Sequence, residues 1–360
     1  MQLLIKKGLQ ILKIFDYNKL KDLKIPHDIA NILNNISQYQ GRLGLFIQQN
    51  KLKSLDNLMM QSKIFSIESS NKIENVFTTN KRLKELSINK IKPINRNEEE
   101  IVGYKNVLDI INENFDSIEI KPNYILQMHR ILYDYTNIDG GTYKKTQNYI
   151  TQTLANNETK IRFTPIEPYL ISIKMEELCN TFQENFNKPQ TNNLILIFNF
   201  IFDFVSIHPF TDGNGRIQRL LMTLLLYKTN HVIGKYISLD KIIESSKETY
   251  YETLLSSSYN WHENTNDTTP FIRYMLGILL NAYKTFERAV IFPHLQKLTA
   301  KQQIELVFKN TLLKMTKAKI IELLPHISQT TIELYLNQLL KEKYITKINN
   351  NKFSYYIKNK

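Results

Sequence analysis

The sequence predicts an all-α protein that carries one small β-hairpin and a separate C-terminal module. Apolar residues recur at helical spacing through most of the 360 residues, and only 10 residues are glycine. Two strongly apolar segments, 193–205 and 220–227, flank a short polar loop and are predicted to be buried helices. We expect three parts, a helical region at 1–95, a core at 96–290 and a C-terminal module at 293–360.

The N-terminal region contains one stretch with an informative pattern. Between Gln61 and Asn75, apolar residues form a helical stripe, and Ser70 precedes Glu74 by four residues. Residues four apart lie on one face of a helix, so both side chains are expected to point the same way. By itself, this spacing is more typical of an ordinary helix.

The core region begins with two predicted helices and a predicted hairpin. Acidic residues at 98–100 favour a helix start, and Pro122 opens the next helix, whose His129 is expected to be structural. Two β-rich runs within 149–163 surround a polar tip at 155–158, which predicts a hairpin. A surface loop is the alternative for that segment.

The polar loop at residues 207–219 holds most of the chemistry in the sequence. The proline after His208 biases it away from helical geometry, so the first apolar helix is expected to end there. Gly213 and Gly215 permit a tight turn that exposes backbone N–H groups. The next helix is expected to start at or near Asn214, and the start of a helix is an anion site, most often for phosphate.

The charged residues of this loop suggest what the anion is. Arg216 and Arg219 lie three apart on one face of the predicted helix, and two guanidiniums beside an anion site indicate a polyphosphate. Asp212 is a hard oxygen ligand that suits Mg²⁺, and His208 is free to act as a general base toward a hydroxyl. Each feature alone is also typical of an ordinary turn, a helix end or a solvent-exposed helix face. Their combination within 13 residues favours the functional interpretation.

The loop resembles the motif of Fic-domain proteins, His-Pro-Phe-x-Asp-Gly-Asn-Gly-Arg-x-x-Arg, which it matches at every defined position from His208 to Arg219. Fic proteins transfer AMP from ATP to a Ser, Thr or Tyr hydroxyl of a target protein. The resemblance implies that His208 deprotonates this hydroxyl, that Asp212 holds Mg²⁺ and that Arg219 reaches the γ-phosphate. It also implies a set of residues that contact ATP: Glu74, Gly213, Asn214, Gly215, Arg216, Ile217, Gln218, Arg219 and Tyr250. Related kinases of the Doc type lack the second arginine, so the presence of Arg219 favours AMP transfer.

Ser70, Glu74 and Asn75 resemble the inhibitory motif of the same family, Ser/Thr-x-x-x-Glu-Gly/Asn. The position of this motif, N-terminal to the loop, is similar to that in class II Fic proteins. The resemblance implies that Glu74 pairs with Arg219 and keeps the γ-phosphate from binding productively. In some relatives this glutamate also assists the removal of AMP from modified targets, so a de-AMPylase is an alternative function.

Two further expectations come from the resemblance. The hairpin at 149–163 is similar to the family's flap, which pairs with the backbone of the target protein as an extra strand. Tyr250 resembles the tyrosine of the helix that lines the adenine pocket, although an aromatic residue at helical spacing is more often part of a core. A phosphate or phosphocholine transferase is a third alternative, because residues outside the motif select the donor.

Residues 293–360 are predicted to form three helices followed by a hairpin, which resembles a winged helix-turn-helix. Between Lys341 and Lys360 there are six lysines and one glutamate. The more specific interpretation is that residues 300–360 bind DNA. The chain would then be a DNA-binding regulator whose Fic core senses a nucleotide. The alternative is a module that docks proteins or forms a homodimer. The acidic Glu333 and the absence of arginine in the candidate recognition helix favour this alternative.

Charge, cysteine content and apolar segments limit the kinds of protein that this sequence can encode. The net charge of +13 favours an acidic partner, and the single cysteine, Cys179, excludes an internal disulfide and points to a reducing compartment. The apolar start of the chain, 1–15, is interrupted by lysines and has no cleavage site. The longest apolar run, 193–205, is too short to span a bilayer and contains Asp203. We therefore expect a cytoplasmic protein without a membrane segment.

Overall fold

A computed structural model describes residues 13–49, 52–153, 159–291, 298–310, 314–324, 327–348 and 354–359. Contacts between residues divide the chain into two units, 1–283 and 284–360. The helices that lie wholly in the first unit are α1 (His27–Gln49), α2 (Leu52–Ile73), α3 (Asn80–Ser87), α4 (Arg96–Asn114), α5 (Pro122–Tyr133), α6 (Ile171–Asn187), α7 (Asn193–Ile207), α8 (Asn214–Lys228), α9 (Leu239–Ser245) and α10 (Lys247–Ser258). The division point falls within α11 (Thr269–Ile291). The predicted boundary at 293 lies outside the described residues.

The first unit is built around α7 and α8. Thirteen of the fifteen residues of α7 are buried, which is the pattern of a helix enclosed by other elements on all sides. Its first turn is capped by Asn192, whose side chain accepts a hydrogen bond from the Leu194 N–H at 2.9 Å. The two buried helices predicted around the polar loop are therefore present. No helix within the described ranges is both long and apolar enough to cross a membrane.

Other helices surround this pair and fix the position of the loop between α7 and α8. Helix α6 packs on α7, α4 packs on α5 and α8, and α2 packs on α9. Helix α4 begins after Asn95, whose side chain accepts a hydrogen bond from the Glu98 N–H at 3.0 Å. A Cβ at Gly103 would collide with the Leu132 carbonyl, so this glycine lets α4 approach α5 closely.

The predicted hairpin is present in the first unit. Strands β1 (Ile150–Thr153) and β2 (Thr159–Phe163) pair antiparallel, with Ile150 opposite Phe163 and Thr151 opposite Ile161. The register shifts between the first two residues of β1. The polar tip expected at 155–158 lies outside the described residues.

The second unit contains the remaining elements, α12 (Ala300–Asn310), β3 (Met315–Thr316), α13 (Lys317–Leu323), α14 (Gln329–Lys341), β4 (Ile345–Ile348) and β5 (Tyr355–Lys358). The three strands form an antiparallel sheet in the order β3-β5-β4. The Ser328 side chain caps α14, where it accepts a hydrogen bond from the Thr331 N–H at 3.2 Å. The identity of this unit as a winged helix-turn-helix stays a prediction.

Candidate active site

His208 lies directly after α7, with a left-handed backbone conformation at φ 52° and ψ 61°. Its Nδ1 is 3.3 Å from the Val205 carbonyl oxygen. Because a carbonyl oxygen only accepts hydrogen bonds, Nδ1 carries the proton and Nε2 keeps a free lone pair. Burial, helped by the nearby Lys144, lowers the pKa of His208 to about 4. The imidazole is therefore neutral at physiological pH and can accept a proton at Nε2.

The backbone after His208 is held by side-chain amides. Asn214 closes the loop, because its amide donates to the Phe210 carbonyl at 2.7 Å and its oxygen accepts from the Phe210 N–H at 2.9 Å. The amide of Asn148 donates to the same carbonyl at 3.2 Å, and the Lys144 N–H donates to the Pro209 carbonyl at 2.9 Å. The Asn214 side chain thus has a structural role in this arrangement.

His129 supports the loop from the side of α5, as its predicted structural role required. Its ring stacks on Phe210 with 3.7 Å between centroids and 8° between planes. Nδ1 accepts a hydrogen bond from the Gly141 N–H at 2.8 Å, so Nε2 is the nitrogen that donates to the Asp212 carbonyl at 3.1 Å. Burial lowers the pKa of His129 to about 4, which favours the neutral ring that this pattern needs.

The start of α8 has the geometry of an anion site. Gly213 has φ 82°, and a Cβ at this position would also press against the Tyr133 ring. The first backbone N–H groups of a helix have no acceptor within the helix, and the positive end of the helix dipole lies with them. At Gly215, in the first turn of α8, a Cβ would overlap the carboxylate of Glu74. The two glycines are therefore required, one for the turn and one for the approach of Glu74.

Asp212 is the accessible carboxylate of the loop, with 52% of its side chain exposed. Its Oδ1 accepts the Gly213 N–H at 2.6 Å, and guanidinium nitrogens of Arg96 and Arg216 lie 3.8 Å from its oxygens. An exposed carboxylate beside a helix start that could bind an anion suits Mg²⁺, which usually takes one or two protein carboxylates together with phosphate oxygens and water. Among the described residues no three His, Cys, Asp or Glu side chains could hold a metal ion by themselves.

The two arginines of the loop have separate sets of partners. Arg216 is 1% exposed and donates to Glu100 at 2.6 Å and to the Tyr133 hydroxyl at 2.8 Å. The sequence predicted one shared face toward a polyphosphate, but Arg216 is absent from the described residues that line the cavity beside His208. Ile217 is buried in the core, and the side-chain oxygen of Gln218 accepts the Tyr250 hydroxyl at 2.8 Å.

Arg219 meets the segment at the end of α2. Its Nε donates to the Ser70 hydroxyl at 2.7 Å, and one Nη donates to the Ser70 carbonyl and to Glu74 Oε1, both at 2.8 Å. Helix α2 ends at Ile73, so Glu74 lies in the turn after the helix, and Asn75 follows with φ 61°. The expectation of one shared helix face was therefore too simple, although Ser70 and Glu74 both reach Arg219.

A cavity of about 140 Å³ brings the predicted residues together. It contains Glu74, His208, Gly215, Arg219 and Tyr250. The hairpin predicted at 149–163 contributes Ile150, Arg162 and Phe163 to the wall. The lining residues that no sequence pattern had singled out are Phe202, Val205, Ser206, Tyr251, Leu254, Leu255 and Ser258. The four-residue repeat of Tyr250-Tyr251 and Leu254-Leu255 in α10 was the available signal, because it marks one apolar helix face.

Comparison with known proteins finds a family match within the first unit. The family described as Fic/DOC matches residues 119–226. The protein adenylyltransferase Fic of Drosophila grimshawi is 28% identical over 182 residues, which cover 49% of this chain and 32% of that protein. The protein adenylyltransferase fic-1 of Caenorhabditis elegans is 26% identical over 187 residues, which cover 50% of this chain and 32% of that protein. The chain thus spans about a third of the length of these relatives.

Solved structures share the fold. A Fic family protein from Desulfovibrio desulfuricans G20 aligns with a TM-score of 0.60 at 19% identity, over 94% of this chain and 97% of that one. A Fic-domain signalling protein from Bacteroides thetaiotaomicron VPI-5482 also aligns with a TM-score of 0.60 at 21% identity. This alignment covers 71% of this chain and 96% of that one. The loop motif lies inside residues 119–226, the segment that matches the Fic/DOC family, and the solved Fic-family structures share the fold of the chain.

Proposed function

We propose that this chain transfers AMP from ATP to a Ser, Thr or Tyr hydroxyl of a target protein, and that Glu74 holds it inactive. The observation that carries the proposal is the single cavity that contains His208, Gly215 and Arg219. It combines a neutral base with a helix start suited to phosphate. Relatives named protein adenylyltransferase match about half of this chain, which favours the same reaction and ATP as donor.

In the proposed reaction the target hydroxyl oxygen attacks the α-phosphorus of ATP. The bond from this phosphorus to the oxygen that bridges to the β-phosphate breaks, and pyrophosphate leaves. The hydroxyl proton passes to Nε2 of His208, which is available because Nδ1–H is held by the Val205 carbonyl. The resulting imidazolium then releases this proton to solvent, because the pKa of His208 is only about 4.

Three elements are proposed to hold the phosphates. The N–H groups at the start of α8 bind oxygens of the α- and β-phosphates, and Arg219 binds the γ-phosphate. Asp212 is the residue that would hold Mg²⁺, which neutralises phosphate charge when it is bound. Arg216 is tied to Glu100 and Tyr133, so we expect it to contribute positive charge from behind the helix start rather than a direct contact.

The contact between Glu74 and Arg219 supports the proposed inhibition. A γ-phosphate and the Glu74 carboxylate would compete for the same guanidinium, so a nucleotide meets a site whose arginine is already occupied. The Glu74 side chain is 29% exposed and lines the cavity, so it can leave without opening the core. Loss of Glu74 is therefore expected to activate the protein and to leave it folded.

The hairpin is proposed to present the target. An exposed strand edge can pair with an extended segment of another protein through backbone hydrogen bonds. Ile150, Arg162 and Phe163 of the hairpin line the same cavity as His208, so a strand added there would bring its side chains next to the base. Ile161 is half exposed and offers an apolar contact to such a segment.

The test is label transfer from α-labelled ATP with Mg²⁺, with the protein itself and a cell extract as acceptors. We expect strong labelling by Glu74→Gly and little by the wild type. The double variant Glu74→Gly/His208→Ala should transfer label about 10²–10⁴-fold more slowly than Glu74→Gly, because this is the usual contribution of a general base. Glu68→Ala is the matched control, because Glu68 is another α2 glutamate and pairs with Lys72 rather than with Arg219. No label with Glu74→Gly would reject AMP transfer, and equal labelling by wild type and Glu74→Gly would reject inhibition by Glu74.

Nucleic-acid binding by the second unit is a further candidate function. Residues 284–360 contain 14 Lys and Arg residues and five Glu, so this unit carries +9 of the net charge of +13. Glu333, the acidic residue of α14, pairs with Lys317 at 2.8 Å, which offsets its repulsion of phosphate. Retarded migration of double-stranded DNA at near-physiological salt would support this function, and its absence would favour a protein-docking module.

A further inference from the structure

Arg219 faces a second carboxylate that the inhibitory motif does not include. Asp240 lies in the first turn of α9 and is 2% exposed. Its Oδ1 is 3.6 Å from Arg219 Nε, and this oxygen has no hydrogen-bond partner among the described residues. Arg219 is itself 1% exposed. The buried guanidinium, whose Nε–H is donated to the Ser70 hydroxyl, thus lies close to two acidic residues that come from different parts of the chain.

The two carboxylates approach the guanidinium at different nitrogens. Glu74 accepts from an Nη group and lines the cavity that contains His208. Asp240 lies near Nε and lines a separate cavity of about 300 Å³ behind α2. Arg219 lines only the first of these cavities and Asp240 only the second, so Asp240 approaches the guanidinium from a side other than the proposed nucleotide site.

This arrangement matters most when Glu74 is gone. A buried charge that loses its partner is strongly destabilised, so Arg219 needs another anion until the γ-phosphate arrives. Burial raises the pKa of the Asp240 carboxyl, and the charge of Arg219 opposes that rise. When the negative charge of Glu74 leaves, Arg219 attracts Asp240 without competition, which favours ionised Asp240 and a closer pair.

We propose that Asp240 is a positioning residue whose negative charge beside Nε keeps Arg219 in place, together with the Nε–H bond to Ser70, so that the Nη groups stay directed at the γ-phosphate after Glu74 withdraws. This inference rests on the proposed function, in which Arg219 binds the γ-phosphate. It differs from the inhibitory contact, because Asp240 would favour ATP binding whereas Glu74 opposes it.

The test compares two nucleotides in the full-length Glu74→Gly background. Dissociation constants for ATP and ADP with Mg²⁺ are measured by titration calorimetry, with and without Asp240→Asn. We expect ATP to bind on the order of tenfold more weakly in the double variant, a typical coupling between two positions, and ADP to bind unchanged. The KM for ATP should rise by a similar factor. Asp240→Glu should recover part of the loss, since it restores the charge.

The matched control is Glu244→Gln. Glu244 is also an α9 carboxylate and accepts a hydrogen bond from Ser69 of α2 at 2.8 Å, but it does not contact Arg219. We expect it to leave both affinities unchanged. Equal weakening of ATP and ADP by Asp240→Asn would indicate a merely structural role and overturn the proposal, as would an unchanged or tighter ATP affinity. Because the readout is binding, absence of AMP transfer by Glu74→Gly would reject the reaction separately.

Discussion

The carboxylate of Glu74 occupies the space that any side chain at residue 215 would need. Glu74 Oε1 accepts a hydrogen bond from Arg219. A Cβ added to Gly215 would overlap this same oxygen. The glycine in the first turn of α8 therefore makes room for the contact between Glu74 and Arg219 in addition to exposing backbone N–H groups.

Gly215→Ala should destabilise the wild type by about 1–3 kcal/mol, the usual cost of an extra methyl group in a packed site. In the Glu74→Gly background this cost should largely disappear, because the overlapping carboxylate is absent. A double-mutant cycle on the free energy of unfolding, measured by urea denaturation, checks this coupling. Additive effects of the two substitutions would contradict it.

The acidic limb of the pH profile should report His208. A general base works only when unprotonated, so activity is lost as the pH falls through its pKa, which burial and Lys144 lower to about 4. AMP transfer by Glu74→Gly should therefore stay level down to about pH 5, whereas an ordinary histidine would lose activity near pH 6.5. The measurement is kcat/KM against pH.

Lys144→Met should move this limb to higher pH, because the variant removes a positive charge that disfavours the imidazolium. Lys145→Met, an exposed neighbour, is the control and should leave the limb in place. An unchanged limb in Lys144→Met would show that burial alone sets the pKa of His208.

Glu100→Gln should destabilise the fold by roughly 3–5 kcal/mol, because it leaves the charge of buried Arg216 uncompensated. Glu100 is 3% exposed and accepts from Arg216 at 2.6 Å. The adjacent Glu99→Gln is the control, with an expected change within about 0.5 kcal/mol. Thermal and urea unfolding measure both. A small effect of Glu100→Gln would mean that the exposed Asp212 or water replaces the lost charge.

Acid should destabilise the protein through its buried histidines. Burial lowers the pKa of His231 to about 4, below the value of about 6.5 expected in the unfolded chain. The unfolded state therefore takes up the proton first, so this stability is complete above about pH 6.5 and is lost between pH 6.5 and 4, up to about 3 kcal/mol. His231→Gln should flatten the dependence of the unfolding free energy on pH across this window. An unchanged slope would contradict the assignment.

The loop was predictable from the sequence because its parts are consecutive. His208, Gly213 and the helix start at Asn214 lie within seven residues, and local backbone preferences specify the helix end and the turn. The buried helices on either side were predictable for the same reason, since their apolar pattern is continuous.

Partners that are distant in the sequence were not predictable. The spacing of Arg216 and Arg219 gives their angle on α8, but it does not show that Glu100 binds the first of them or that Asp240 lies near the second. Those contacts depend on how α4 and α9 pack, which is a tertiary property. The family resemblance supplied the pairing of Glu74 with Arg219, whereas nothing in the sequence indicated Asp240.

The attachment of the hairpin to the loop has a consequence for target selection. The segment that leads into β1 holds the loop backbone at two points, through the Lys144 N–H to Pro209 and the Asn148 amide to Phe210. A strand that pairs with the hairpin would act next to the segment that holds the two residues after His208. In the proposed reaction, targets that pair well with the hairpin should therefore differ from poor ones in turnover as well as in affinity.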